Sequence, residues 1–519
     1  MRSAEALTDH LERPLARGHV PVDACTGAAG GAACGDLVRI SVALDPDSPD
    51  GLIADAGFDA SGCGAVVAAG SATVGLVRGM PLLSAAAIGA GRIADELGGL
   101  SVAKQHAAEL AADALHRALG QAARDRAALE PVAGRTLVAM SGGVDSAVAA
   151  LLVARGRGAE TVGVTLELWS DPQNDGDLSC CSAQAVRGAR ELAHELGMAH
   201  LSIDLRAEFR AGVVDHWLAD QASGLTSNPC VRCNGNVRLD AMLELAGRLG
   251  SETLATGHYA RVTRGFESSG SESNRQVEDD FDGTRTGAVD GFEGAVDGSE
   301  QLLLRMAVDE GKDQSYVLAA LAPESLARLC FPLGEMEKPQ VREIARRAGL
   351  AVARRRDSQD LCFLAGTRQG AFLERHSGLG ARPGAIVDGE GRVLGEHRGA
   401  HVFTVGQRHG LGIGGGQPLY VLGTDARENT VTVGSREELL TRGVPVRDVT
   451  LHRDGQCVDG VRMRSHGRRF ACRLGGGLGA GGHERVNIEL EEPAERTAPG
   501  QLACLYAGDL VVGHGTITT

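Results

Sequence analysis

Ser141 to Ser146 read Ser-Gly-Gly-Val-Asp-Ser, set between the apolar run Thr136–Met140 and the small, helix-forming run Ala147–Ala154. A strand that feeds a glycine turn and then a helix constrains the whole chain, because that order builds a phosphate cradle on a parallel α/β unit. The two glycines let the backbone turn tightly and bring its N–H groups close to an anion. The hydroxyls of Ser141 and Ser146 add donors at the positive end of the helix dipole. The lysine of a Walker-type loop is absent. A glycine turn with no ligand is the competing account of the same residues.

The loop resembles that of the ATP pyrophosphatases, which split ATP between its α- and β-phosphates to adenylate a carbonyl oxygen. Its surroundings agree with an α/β unit. Apolar runs at 161–166, 200–204 and 253–256 alternate with helical patterns at 183–196 and 240–249, which predicts a doubly wound parallel sheet with ligands at the strands' carboxyl ends. An alanine-rich helical stretch at 102–128 precedes this unit and ends at Glu130-Pro131. After about residue 380 short strands and frequent glycines predict small β-barrels.

The chain has 519 residues, enough for three or four domains, and its 43% hydrophobic content is ordinary for globular proteins. No run resembles a membrane span, and residues 1–10 have no apolar signal core, so a cytoplasmic protein without a membrane partner is expected. In that compartment twelve cysteines point to metal, cluster or sulfur chemistry rather than structural disulfides. The net charge of −15 argues against broad nucleic-acid affinity, but charge on a multidomain chain is local. Residues 266–300 hold ten acidic residues against two arginines and read as a disordered acidic insertion.

Residues 228–234 read Asn-Pro-Cys-Val-Arg-Cys-Asn, and Cys362 stands in Asp-Ser-Gln-Asp-Leu-Cys-Phe at 357–363. A Cys-x-x-Cys pair alone fits zinc, redox exchange, a cluster or an accident of two thiols. Its company narrows the choice: Thr256–Arg261 (TGHYAR), Gly311–Tyr316 (GKDQSY), Phe331–Gly334 (FPLG), Glu337–Arg342 (EKPQVR) and Thr404–Gly414 (TVGQRHGLGIG). With the phosphate loop, this ordered series closely resembles the bacterial tRNA-specific 2-thiouridylases over about residues 133–515.

That resemblance implies ATP-dependent 2-thiolation of the wobble uridine of tRNA: uridine O2 is adenylated, then sulfur replaces it. It puts ATP, with Mg2+, on Ala139, Met140, Ser141, Gly142, Gly143, Val144, Asp145 and Ser146, with Leu166 and Gly257 lining the pocket. Asp145 is the candidate magnesium ligand or an orienting group. Asn228, Pro229 and Cys230 fall beside the target base; His258, Lys312, Asp313, Gln314, Arg464, Ser465 and Gln501 fall against tRNA. Cys233 is the nucleophile and Cys362 carries the persulfide sulfur. Many relatives have Asp where this chain has Cys230, so Cys230, Cys233 and Cys362 could instead hold a 4Fe–4S iron–sulfur cluster that binds sulfide. The two sulfur routes stand side by side.

Upstream, Cys34 and Asp36 in Ala-Cys-Gly-Asp, Cys63 in Ser-Gly-Cys-Gly, and His106 in Lys-Gln-His-Ala resemble the metal-gathering residues of the IscU and NifU N-terminal scaffold family. Ala107 takes the place of that family's third cysteine, and Cys25 is the candidate substitute thiol. A docking domain for a cysteine desulfurase or other sulfur donor, or a module that delivers sulfur to the thiolating domain, is the expected use of such a fusion, with a degenerate fold kept for packing as the rival. The expected architecture is therefore multidomain: an α+β scaffold-like domain at 1–128; an α/β doubly wound parallel-sheet ATP pyrophosphatase domain at 132–370; a central β-rich domain at 371–440; and a C-terminal β-barrel tRNA-binding domain at 441–519. A non-catalytic iron–sulfur carrier with a nucleotide-gated domain, and an ATP pyrophosphatase acting on a small molecule, are the rival functions.

Overall fold

The computed structural model of the chain describes residues 2–31, 35–156, 160–171, 182–264, 302–355, 361–364, 366–414 and 417–519. Cys34, Cys180, Cys181 and the acidic segment 266–300 lie outside the described residues. Among the described residues no helix is long and apolar enough to cross a membrane.

At the N-terminal side, the strands Cys25–Gly30, Leu37–Leu44 and Ile53–Ser61 form an antiparallel sheet in chain order. Alternation in Leu37–Leu44 turns Val38, Ile40 and Val42 inward, and the helices Gly64–Val77 and Gln105–Asp125 cover that face. The alanines of Gln105–Asp125 are small enough to let the helix approach closely on two sides at once. Ala107, Ala111, Ala114, Ala118 and Ala122 are all fully buried.

The second side of that helix meets the next domain. There the strands Leu329–Cys330, Thr253–Ala255, Thr136–Ala139, Thr161–Glu167 and Ala199–Asp204 lie in that spatial order, all parallel. This is the doubly wound arrangement expected from the sequence, and chain direction across the sheet reverses at Thr136–Ala139. The edge strand Ala199–Asp204 is covered by Gln105–Asp125 rather than left open. A Cβ on Gly120 would stand 1.9 Å from the Ser202 carbonyl oxygen, so glycine is what allows this contact.

Polar groups pin the same seam. Arg117 donates two hydrogen bonds to Glu167, at 2.8 and 2.9 Å, and Glu167 ends the strand beside the phosphate loop. Arg187 and Arg190 reach back to Asp113. His116 sets its ring nitrogens against the carbonyls of His200 (2.8 Å) and Ile88 (2.9 Å). The scaffold-like domain is thus packed onto the sheet and not merely tethered to it.

Downstream, Val393–His397, Gly384–Val387, Thr430–Gly434 and Tyr420–Asp425 make a four-stranded sheet around Ile386, Phe403, Val421, Val431 and Val433. The last region closes six strands into a barrel, Leu440–Leu451 pairing with both Gly481–Glu495 and Leu510–Ile517. Its sheet is extended by Leu302–Arg305 and Arg261–Arg264, a pair of strands from the preceding domain that flank the acidic segment.

Replacing Gly120 with Val is expected to destabilise the protein by about 3 kcal/mol, the upper range for overpacking, because a backbone oxygen cannot move aside cheaply. Thermal unfolding together with limited proteolysis between the two domains checks this. An unchanged melting temperature with no new cleavage would remove the tight seam.

Candidate active site

Thr136–Ala139 lies between Thr161–Glu167 and Thr253–Ala255, so the loop after it is flanked by the carboxyl ends of two neighbouring strands. Ala139, Met140 and Val144 are buried, and Gly142 takes the left-handed φ of 71° that starts the turn. Ser146 then ties the loop to its helix. Its Oγ accepts from the Ser141 N–H at 3.1 Å, lies 3.1 Å from Ser141 Oγ and donates to the Gly143 carbonyl at 3.1 Å. The helix Val144–Ala154 begins here, its first turn facing the cradle.

Leu166 is buried near the end of the neighbouring strand. On the other flank a Cβ on Gly257 would lie 2.7 Å from the Ser146 nitrogen, against the first turn of the loop's helix. The loop after Thr253–Ala255 therefore seals one wall of the cradle with bare backbone.

Two cations come from far along the chain. Lys338 Nζ lies 2.7 Å from each carboxylate oxygen of Asp145, and the Tyr259 hydroxyl donates to the same carboxylate at 2.9 Å. Arg355 donates to the Gly142 carbonyl at 2.9 Å. Asp145, the expected magnesium ligand or orienting group, thus has both oxygens engaged by a buried ammonium in this structure. Spacing within the sequence singles out neither cation. The missing Walker lysine was the available signal that positive charge must come from elsewhere.

Asn228 caps the short helix Pro229–Cys233, its side chain accepting from the Cys230 N–H at 2.9 Å, with Pro229 at the first turn. Cys230 is partly exposed, and burial pushes its thiol up from the ordinary value while the Arg238 charge opposes the shift. Cys233 is buried and is followed by a π-helical turn, Asn234–Arg238. Asn234 is buried with its Oδ1 lacking a hydrogen-bond partner among the described residues. Cys362 is partly buried next to Phe363, whose ring sits 5.2 Å from both Trp217 and Phe372 and 6.3 Å from Trp169. Trp169 follows the strand that carries Leu166, so Phe363 anchors the Cys362 segment near the sheet's carboxyl edge.

The residues expected against tRNA divide into two groups. Arg464, with Arg436, Arg468 and Phe470, lines an open cleft of about 370 Å3 next to Ser465, and the Arg468 guanidinium lies 4.5 Å from the Phe470 ring centroid. Gln501 donates to the Thr226 carbonyl, just before Asn228. Lys312 is partly exposed, and Gln314 accepts from the Tyr259 N–H at 2.9 Å.

His258 and Asp313 are corrections. The Asp313 carboxylate is fully buried, 2.6 Å from Arg462 of the C-terminal barrel, and accepts from Ser315 Oγ at 2.7 Å. It locks two domains together, and its carboxylate is enclosed rather than on the surface. His258 is buried with Nδ1 2.8 Å from Thr256 Oγ1, and burial lowers its pKa to about 3, so it is a neutral wall residue.

The scaffold-like domain gathers a second site. Asp36, Cys63 and His106 offer ligand atoms that all lie within 4.8 Å of one another, and no other such group of three occurs among the described residues. His106 Nε2 is 2.8 Å from Asp36 Oδ2, and the Cys63 N–H donates to Asp36 Oδ1 at 2.8 Å. That backbone hydrogen bond, then His106, holds the Asp36 carboxyl below its ordinary pKa despite burial. Thiol, carboxylate and imidazole at this spacing suit a borderline divalent ion. Ala107 turns into the core instead. Cys25 does not replace the missing thiol: it pairs with Val42, at the far end of the hairpin from Asp36, is buried, and has its thiol pushed up by desolvation. Cys230, Cys233 and Cys362 form no such close group.

Comparison with known proteins follows the same divisions. Residues 3–127 match the family described as NifU-like N terminal domain, and 134–366 the tRNA methyl transferase HUP domain. Residues 370–435 match the tRNA methyl transferase PRC-barrel domain, and 452–517 the aminomethyltransferase beta-barrel domain. The chain is 40% identical to the bifunctional protein NifU/MnmA of Rubrobacter xylanophilus, over 99% of this chain and 98% of that protein. It is 38% identical to the tRNA-specific 2-thiouridylase MnmA of Geobacter metallireducens and 41% identical to that of Thermobifida fusca. Each of these covers 74% of this chain, and 96% and 95% of those proteins.

Gly257→Ala is expected to weaken ATP binding at least tenfold and to lower the melting temperature as well, because the added methyl meets backbone of a helix turn whose Val144 and Val148 belong to a buried core. Isothermal titration with ATP checks it. The folded state excludes a proton from His258 that the unfolded state takes up below its ordinary pKa of 6.5. Its contribution to stability is therefore fully present above about pH 6.5 and is lost as pH falls from there toward 3. At pH 5 the loss is of order 2 kcal/mol. Denaturant unfolding at pH 7 and pH 5 should show a drop to which the buried His116, His200 and His514 also contribute, and His258→Asn should make it smaller without abolishing it.

Proposed function

Since the chain belongs to the tRNA-specific 2-thiouridylases, in the form that carries a fused NifU-like domain, we propose that its sheet edge activates a wobble uridine with ATP and exchanges the activated oxygen for sulfur held on its own cysteines. The observation that carries this reading is one segment with two fastenings. Arg355 is bonded to the phosphate loop at Gly142, and seven residues on, Cys362 is held beside the Phe363 anchor. ATP chemistry and a sulfur-bearing residue are thereby linked along a single stretch of chain.

ATP enters as its magnesium complex, with its phosphates on the Ser141–Ser146 cradle and its nucleoside toward Leu166 and Gly257. The 2-oxygen of uridine attacks the α-phosphorus, and pyrophosphate leaves with the electron pair of the broken P–O bond. The carbonyl oxygen becomes part of a good leaving group. The terminal sulfur of a Cys362 persulfide then adds to C2. Cys233 attacks the Cys362 sulfur, forming a Cys233–Cys362 disulfide and leaving the transferred sulfur with the pair from the broken S–S bond. AMP departs as the ring carbonyl pattern reforms with sulfur, and an external thiol reductant resets the disulfide. Burial of Cys233 fits a group that must be kept from other oxidants until the persulfide arrives.

The base rests against Asn228-Pro229-Cys230, and the tRNA body runs toward Lys312, Gln501 and the arginine-lined cleft at Arg464–Ser465. No step is assigned to a cluster on Cys230, Cys233 and Cys362, whose sulfurs are not gathered as a close ligand set. In the NifU-like domain Asp36, Cys63 and His106 would hold a metal ion, which when bound would supply a Lewis-acidic site for a sulfur donor. The domain's close packing on the sheet supports a role in receiving a sulfur donor such as a cysteine desulfurase.

Cys233→Ala and Cys362→Ala should each reduce 2-thiouridine formation more than a hundredfold while ATP affinity stays within twofold. The measurement is thiolated uridine in tRNA after incubation with ATP and a persulfide donor. Full thiolation by either variant would sink the two-cysteine route, and absence of thiolation by wild-type protein that consumes ATP would sink the function.

A further inference from the structure

We infer that Lys338 and Arg355 are the cationic half of the nucleotide site, binding the β- and γ-phosphates of ATP and the pyrophosphate that leaves. The inference rests on the ATP reading above and assigns it residues outside the loop motif.

The charge balance of the loop demands such a group. From Ser141 to Ser146 there is no cation, and Asp145 adds a negative charge in the turn that meets the phosphates. Backbone N–H groups and serine hydroxyls carry only partial charges. In a site of this kind the departing pyrophosphate accumulates charge as the P–O bond breaks, and fixed cations are what hold it. Lys338 brings a full positive charge to Asp145, with its side chain only 9% exposed against 32% for the carboxylate. A buried lysine is retained only where it is paired, and its pairing partner here is a residue of the phosphate loop itself.

Its placement is built rather than incidental. Lys338 is the first residue of the helix Lys338–Arg347, whose start is fixed by a capping box between Glu337 and Gln340. The Lys338 N–H donates to Asp309 Oδ2 at 2.9 Å, and the ammonium lies 5.9 Å from the Tyr259 ring centroid. One turn on, Arg342 donates to the carbonyls of Ala353 (3.3 Å) and Arg355 (3.2 Å), so the same helix sets the backbone from which Arg355 reaches Gly142. Val341 and Ala345 of this helix share a core with Val144, Val148 and Ala149 of the helix that starts in the loop. Both cations are therefore rigidly registered to the cradle. Asp145 holds Lys338 at the phosphate position, and an entering polyphosphate takes up part of its ammonium.

The test is isothermal titration of full-length protein with magnesium and ATP, AMP or inorganic pyrophosphate, for wild type, Lys338→Met, Lys338→Arg and Arg355→Met. In both methionine variants ATP and pyrophosphate should bind at least tenfold more weakly while AMP, which lacks the β- and γ-phosphates, changes less than twofold. Lys338→Arg should recover part of the loss, since it keeps the charge but not the shape of the ammonium. Arg355→Met leaves the Asp145 pair intact, so it still decides the question if Lys338→Met fails to melt as a folded protein. Equal weakening of all three ligands, or no weakening of any, overturns the inference while leaving the ATP reading in place. A wild type that binds neither ATP nor AMP overturns the ATP reading first.

Discussion

Everything at the sheet edge depends on how close the Gly257 backbone comes to the first turn of Val144–Ala154. There is no room for a methyl group between them. That approach brings the loops after two adjacent strands into one wall, and the phosphate cradle has its shape because the wall is backbone. The strand order makes the approach unavoidable: the sheet turns round at Thr136–Ala139, so its following loop is the one flanked on both sides by strand ends. Packing density does the rest, since a close-packed interior transmits a small displacement instead of absorbing it.

A second constraint acts from the other side. The alanine-rich helix Gln105–Asp125 belongs to the NifU-like domain yet covers the edge strand of the catalytic sheet, and Arg117 grips Glu167 at the end of the strand that carries Leu166. Fusion has produced a shared layer, not two beads on a string. Of the Asp36–Cys63–His106 group, His106 stands on the helix that touches the catalytic domain directly, which limits how far the NifU-like domain can swing. At the opposite flank the buried Asp313–Arg462 pair and the Ser315–Tyr506 hydrogen bond fasten the C-terminal barrel to the sheet domain. Breaking such a pair by removing one partner would strand a buried charge, so the barrel is positioned by electrostatics as well as by its core.

The legible parts of the site were those whose chemistry is local. Ser141–Ser146 announced its cradle because turn, donors and helix start are consecutive. Asn228-Pro229-Cys230 announced a capped helix for the same reason. His258 and Asp313 sit in equally clear motifs, but a motif does not state which way a side chain faces. Burial turned one into a neutral wall and the other into an interdomain anchor. Cys25 was misleading in the opposite sense: it is near the scaffold residues in sequence and remote from them in space, because the hairpin places it at the other end of the strand.

From its sequence alone the chain determined its domain order, its doubly wound sheet, its glycine loop and the cysteines proposed to carry sulfur. Each of these is written in residues that are neighbours along the chain or repeat with a strand or helix period. Tertiary structure alone decided the partners of charge. Lys338 meets Asp145 across 193 residues, Arg355 meets Gly142 across 213, and Arg462 meets Asp313 across 149. Electrostatic pairing depends on distance in space and on burial, and neither quantity has a period that sequence can display.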